Sequence, residues 1–211
     1  EPEPMEMIIP NLIPKTSIIL LAAAGGTSKS YLCLQLAISV VTNRPFLDFF
    51  TPEQARRVLI VSGEDDKNEV HRRLNSTIKA MPEPLTEEDK KKLKKGLRIA
   101  FTHDESDFVL YSTKNDAGNS DRIIEFCTEK LKRSPEVIIL DNLTVFHDAD
   151  HNSTDLATGM MRELKKIHHK TGATIILIAH TNKASQEGGL HSRLAAASVL
   201  GSSAFSNNAR Q

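Results

Sequence analysis

Short apolar runs alternate along this chain with stretches whose apolar positions recur every third or fourth residue. The runs fall at Ser17–Ala22, Arg57–Ser62, Leu97–Thr102, Val137–Leu140 and Thr174–Ala179. Continuous segments such as VIIL and TIILIA suit strands covered on both faces, where no polar side need face water. The helical spacing predicts helices at Lys29–Thr42, Asp66–Ala80, Ser120–Leu131 and Thr154–Lys170. In the last of these, Leu156, Met160, Leu164 and Ile167 share one stripe, so Met160 reads as core. Alternation of this kind predicts an α/β fold, a mainly parallel central sheet with helices on both faces. Pro82–Gly96 is proline-bounded and charge-dense, and reads as a solvated helix. Val109–Tyr111 reads as a short extra strand. After Lys183 the pattern dissolves into glycine, serine and alanine.

At 211 residues the chain can bury one substantial core, so a single domain over 1–211 is expected. Lys+Arg and Asp+Glu both total 27, which removes any global basic excess as a pointer to nucleic acid. Cys33 and Cys127 lie far apart in helical patterns, as buried free thiols of a reducing compartment would. No apolar run reaches membrane-spanning length and no signal-peptide pattern opens the chain. A cytoplasmic protein without membrane contact is the expectation. The start EPEPMEM, with no Met at position 1, reads as a trimmed or fragmentary chain.

Chemistry enters at the junction of the first run and the first helix. The stretch Ala23–Ser30, AAGGTSKS, places a small-residue loop between strand and helix: the layout of a phosphate-binding loop. Ala24, Gly25, Gly26, Thr27 and Ser28 would wrap an anion with backbone N–H groups. Lys29 would supply charge to the β- and γ-phosphates, Ser30 a hydroxyl to Mg²⁺, and Tyr31 sits on the helix start. Two positions depart from G-x-x-x-x-G-K-[ST]: Ala23 holds the first glycine position and Ser28 the second. Downstream, VIILDNLTVF ends a strand in Asp141, where a carboxylate can hold Mg²⁺ beside Ser30. RVLIVSGEDD delivers Glu64 and Asp65 to the same sheet edge, where a carboxylate can orient and deprotonate an attacking water. His71, Arg72 and Arg73 follow, and spacing does not say which arginine faces the phosphates. TIILIAHTNK ends the last run in His180, able to hydrogen-bond a γ-phosphate, with Lys183 behind it. The bland readings are a chance turn for the loop, a cap for Asp141 and an exposed loop acid for Glu64.

In this order the motifs resemble those of RecA-like ATPases, and more narrowly the plasmid and phage RepA-type hexameric replicative helicases. The resemblance rests on AAAGGTSKSYLCLQLA, RPF, RVLIVSGEDDKNEVHRRL, VIILDNLTVFHDADHNST, TGATIILIAHTNKAS and GSSAFSNNAR. It implies ATP and Mg²⁺ as cofactors, with Lys29 and Ser30 on phosphate and metal and Asp141 on the metal side. It makes Glu64 the catalytic base, Arg73 a phosphate-side cation and His180 the sensor. Lys183 would approach the nucleotide or a neighbouring subunit, and Arg210 falls where the family places an arginine finger acting across subunits. Single-stranded DNA and a homo-oligomeric ring, with six subunits in the family's form, are the implied partners. Leu200 replaces an arginine usual before GSSA, and the family continues beyond Arg210, which implies a C-terminally truncated chain. Two alternatives stand beside the helicase: a RecA-like recombination or regulatory ATPase, and a nucleotide-binding module that hydrolyses poorly because of Ser28.

Overall fold

A computed structural model describes residues 4–102, 109–114, 116–131, 133–148 and 154–181. In chain order, a small antiparallel hairpin, β1 (Met7–Ile9) and β2 (Ile13–Pro14), precedes β3 (Ile18–Ala23) and helix α1 (Lys29–Thr42). Then come β4 (Val58–Ser62), α2 (Lys67–Lys79), α3 (Glu87–Gly96) and β5 (Leu97–Phe101). A second hairpin, β6 (Tyr111–Ser112) and β7 (Ala117–Gly118), leads into α4 (Ser120–Glu125), which continues as a π-helical turn over Phe126–Lys130. The described part ends with β8 (Val137–Asp141), a 3₁₀ turn at Leu143–Val145, α5 (Thr154–Thr171) and β9 (Thr174–His180).

The five long strands form one parallel sheet in the order β3-β9-β8-β4-β5. Each of the five predicted runs is one of these strands. Alternate side chains divide between two cores, as the twofold period of a strand requires. Val58, Ile60, Val137, Ile139, Ile176 and Ile178 pack under α1 with Ile8 and Ile9 of the first hairpin. Leu59, Val61, Ile138, Leu140, Ile175 and Leu177 pack against α4 and α5, with Met160 fully buried among them. Each such Leu, Ile or Val removed from water contributes about 1.5–3 kcal/mol, which is why the central strands read as unbroken apolar runs.

Local chemistry fixes the helix ends. Asp66 caps α2 by accepting from the Glu69 N–H at 2.8 Å, and Thr86 with Asp89 forms a reciprocal capping box on α3. Arg44, of the RPF motif after α1, donates to the Glu83 and Pro84 carbonyls at 2.9 Å and pairs with Asp89 at 3.0 Å. It thereby ties the start of α3 to the end of α1.

The structure differs from the sequence reading in three places. The helix expected over Ser120–Leu131 changes to π-helical spacing at Phe126. The extra strand begins at Tyr111 rather than Val109 and pairs with a partner, Ala117–Gly118, too short to show a period. The first hairpin was not anticipated, since strands of three and two residues carry no readable alternation. Cys33 and Cys127 are both buried and free. Among the described residues no helix is long and apolar enough to cross a membrane.

Candidate functional site

The carboxyl ends of β3, β9, β8 and β4 lie side by side. Register sets Ala23 opposite His180 and Ser62 opposite Asp141, so four chain segments separated in sequence discharge their loops at one rim. This is the edge at which ligands bind in open parallel sheets.

The loop from β3 to α1 leaves the sheet at Ala23. Gly26 and Ser28 both take left-handed backbone, with φ of 73° and 61°. Ser28 therefore adopts the conformation that glycine takes without a Cβ cost, and its side chain is exposed. The Ser28 side chain makes no capping hydrogen bond, so it does not occupy the amides at the start of α1, the groups that serve anions. Thr27 Oγ1 instead donates to the Ala24 carbonyl at 2.7 Å. Lys29 is buried, and its ammonium donates to the carbonyls of Ala23 at 2.9 Å and Ala24 at 2.7 Å. It lies 3.2 Å from Nδ1 of His180. Burial pulls the Lys29 pKa below its ordinary value, against the opposing pull of Asp141 and Glu64. A surface cleft of about 560 Å³ runs from Thr27 and Ser28 along Tyr31 and Gln35 to Ser76 and Thr77.

Across the loop, Asp141 ends β8 partly buried and accepts a hydrogen bond from the Ser30 hydroxyl. Burial raises its carboxyl above the usual range, with the Ser30 hydrogen bond opposing and the charges of Glu64 and Asp65 adding to the rise. Ser30, Ser62, Asp65, Arg73 and Asp141 line one cavity of about 20 Å³, room for roughly one water-sized species. Glu64 lies on the loop after β4. That loop sits tight because Gly63 donates its N–H to the Asp141 carbonyl at 2.7 Å, and a Cβ at Gly63 would fall 2.0 Å from Val145 Cγ2. The Glu64 carboxylate is half-exposed, 3.4 Å from Thr144 Oγ1 and 3.9 Å from His180 Nε2.

Arg73 and Arg72 part company. Arg72 is exposed and pairs with Glu69. Arg73 turns to the rim, pairing with Asp65 at 2.6 Å and Glu69 at 2.8 Å, its guanidinium 5.7 Å from the Tyr31 ring centre. The structure therefore gathers Lys29, Ser30, Tyr31, Glu64, Arg73, Asp141 and His180 at one rim. Lys183, Leu200 and Arg210 lie outside the described residues.

Two residues that the sequence reading passed over belong to this rim. Asn142, buried directly after Asp141, places Nδ2 3.1 Å from His180 Nε2 and accepts the Thr144 N–H at 2.9 Å. The Thr144 hydroxyl faces both Asn142 Oδ1 and Glu64 Oε1, and its one proton serves one of them at a time. A polar residue immediately after the strand-ending aspartate was the available signal.

The donor set suits a magnesium triphosphate. Ser30 and Asp141 offer hard oxygen ligands, and Mg²⁺ is commonly held by one or two such groups with phosphate oxygens and water completing its shell. Among the described residues no three His, Cys, Asp or Glu side chains cluster as metal ligands. The uncapped amides of α1 and the Lys29 ammonium supply the complementary anion site.

Comparison with known proteins bears on the fold. The family described as AAA domain matches residues 1–186. The chain is similar to the flagellar accessory protein FlaH from Methanocaldococcus jannaschii, at 21% identity and TM-score 0.50, over 83% of this chain and 71% of that one. It is also similar to a DnaB-like replicative helicase whose structure was solved together with its interactions with primase, at 17% identity and TM-score 0.58. That likeness covers 92% of this chain but 46% of the helicase, so the chain spans less than half of the helicase's length. No similar sequence was found among curated proteins. The chain belongs to the AAA domain family, and its fold is that of a RecA-like P-loop ATPase.

Proposed function

We propose that this chain is a single Mg²⁺-dependent ATPase domain over 1–211 that assembles as a ring and drives movement along single-stranded DNA, as RepA-type replicative helicases do. The observation that carries the ATPase reading is the convergence of Lys29, Ser30, Asp141, Glu64 and His180 on one rim. When bound, the metal neutralises phosphate charge and polarises the bond to be broken. The protein's own residues supply the rest. Lys29 gives up the Ala23 and Ala24 carbonyls for phosphate oxygens, while Ala24 to Ser28 present the loop backbone. Ser30 and Asp141 hold the cation. Glu64 accepts the proton of the attacking water, with the Thr144 hydroxyl beside its carboxylate. Arg73 adds charge on the Asp65 side, and His180 reports the γ-phosphate to the chain that follows it. The cleft beside Tyr31 is large enough for a base and sugar. Lys183 and Arg210 would serve the neighbouring subunit's site.

The DNA-moving role is supported by the fold shared with the DnaB-like helicase. The likeness to FlaH supports a second reading, a regulatory ATPase whose nucleotide state controls a protein partner. ATP hydrolysis measured with and without single-stranded DNA separates the two. A motor is expected to be stimulated by the strand, to lose turnover in Lys29→Ala and Glu64→Gln, and to gain mass on adding nucleotide. Turnover indifferent to DNA favours the regulatory enzyme. Binding without turnover, restored by Ser28→Gly, favours the binding module.

A further inference from the structure

Two donors face the His180 ring. Lys29 Nζ lies 3.2 Å from Nδ1, and Asn142 Nδ2 lies 3.1 Å from Nε2. The Asn142 amide has no freedom to turn round. Its Oδ1 accepts the Thr144 backbone N–H at 2.9 Å, and that group can only donate, so the NH₂ must face His180. A neutral imidazole carries one lone pair and one N–H, so it can satisfy only one of these two donors. An ammonium is the stronger donor, and with Lys29 on Nδ1 the ring proton is driven to Nε2, on the side of Glu64 Oε1 at 3.9 Å.

We infer that Asn142 is a positioning residue that sets the tautomer of His180, and that Lys29 overrides it until the lysine leaves the ring. The inference rests on the nucleotide reading of the rim and deepens it. When phosphate oxygens draw Lys29 away, the Asn142 amide claims the Nε2 lone pair and the ring proton passes through solvent to Nδ1. His180 then presents an N–H donor from the very nitrogen that had accepted Lys29. One side chain thus changes from acceptor to donor with no change in its charge. Histidine tautomers are set in this way by the partner of the opposite nitrogen.

The tautomer is read directly by ¹⁵N NMR of the histidine side chains in the full chain, with His180 assigned by the signal lost in His180→Gln. Nucleotide-free wild type is expected as the Nε2–H form. Lys29→Met, without nucleotide, removes the competing donor and is expected as the Nδ1–H form. Asn142→Asp places a carboxylate acceptor on Nε2 and is expected to restore the Nε2–H form in the Lys29→Met background. Asn142→Asp alone is expected to lower turnover about 10- to 100-fold with ATP affinity within about twofold of wild type. A Lys29→Met protein that keeps the Nε2–H form overturns the inference, and that variant changes no residue packed in the core of the sheet. So does a double variant that stays Nδ1–H. Failure of the chain to bind ATP at all would instead remove the nucleotide reading, because the Lys29→Met measurement uses no nucleotide.

Discussion

Two carboxylates of this fold have opposite fates. Glu163 of α5 has no exposed side-chain surface, yet the protein meets its every need. Ser120 donates to it from both backbone and hydroxyl, the latter at 2.6 Å, and Lys166 approaches to 2.7 Å. Burial would raise the Glu163 carboxyl, but the Lys166 and Ser120 hydrogen bonds outweigh it and hold the pKa below the ordinary value. Burial raises the Asp141 carboxyl too, and there the single Ser30 hydrogen bond and the Arg73 charge do not offset it, while Glu64 and Asp65 add like charge. The first acid is complete within the fold and fastens the β6–β7 hairpin and α4 to α5. The second is left short of positive charge, which is the condition of a group that waits for a cation. Burial acts on both acids; it is compensated at Glu163 and left uncompensated at Asp141, and that separates the candidate site from the scaffold.

The sharpest break of this comparison is in activity. Lys29→Ala and Asp141→Asn are each expected to reduce ATP turnover by about two orders of magnitude or more, measured as phosphate release. Asp141→Asn should nevertheless melt at or above the wild-type temperature, since it removes an acid whose ionised form the fold disfavours. Next is Glu163→Ala, expected to cost about 2–3 kcal/mol in chemical denaturation because charged hydrogen bonds are lost from a buried place. Gly118→Ala tests the same anchor by crowding. A Cβ there would fall 1.9 Å from the Glu163 carboxyl carbon, so destabilisation of about 1–3 kcal/mol is expected.

Acid separates the two carboxylates further. A depressed pKa means that the Glu163 contribution is full above its unfolded value, near 4.5, and lost as pH falls through the lower folded value. The raised pKa of Asp141 has the other sign: its cost is present at neutrality and relieved as pH falls towards 3.8. Melting curves between neutrality and about pH 3 should therefore be flatter in Glu163→Gln than in wild type, and steeper in Asp141→Asn. The smallest effect belongs to the loop. Ser28→Gly is expected to gain no more than about 1 kcal/mol, as the left-handed strain removed is partly offset by glycine's looser unfolded chain. If the serine also crowds the phosphates, ATP affinity should rise in the same variant; unchanged affinity would confine its effect to the backbone.

Much of the scaffold was legible because its signals are local and repeated. The runs at Arg57–Ser62, Val137–Leu140 and Thr174–Ala179 are central strands, and the helical stripe from Leu156 to Ile167 is core. Lys29 and Ser30 were visible in a phosphate-loop motif between strand and helix, and Asp141, Glu64 and His180 as polar residues placed where apolar runs stop. Asn142 and Thr144 were not, because a polar residue in a loop shows no sign of what faces it. The left-handed turn at Ser28 was hidden for a similar reason: a serine letter announces a departure from glycine, whereas the backbone there takes a conformation that glycine adopts readily.

The amino-acid pattern alone determined the five long strands and the main helices, and which polar residues follow them, since period and burial demand are properties of neighbours along the chain. Only the tertiary structure decided the strand order, the turn of Arg73 towards Asp65 and Arg72 away, and the rivalry of Lys29 and Asn142 for one histidine. Those outcomes depend on distances between groups far apart in sequence. Hydrogen bonding and charge act across such distances only after the sheet has brought its strand ends together.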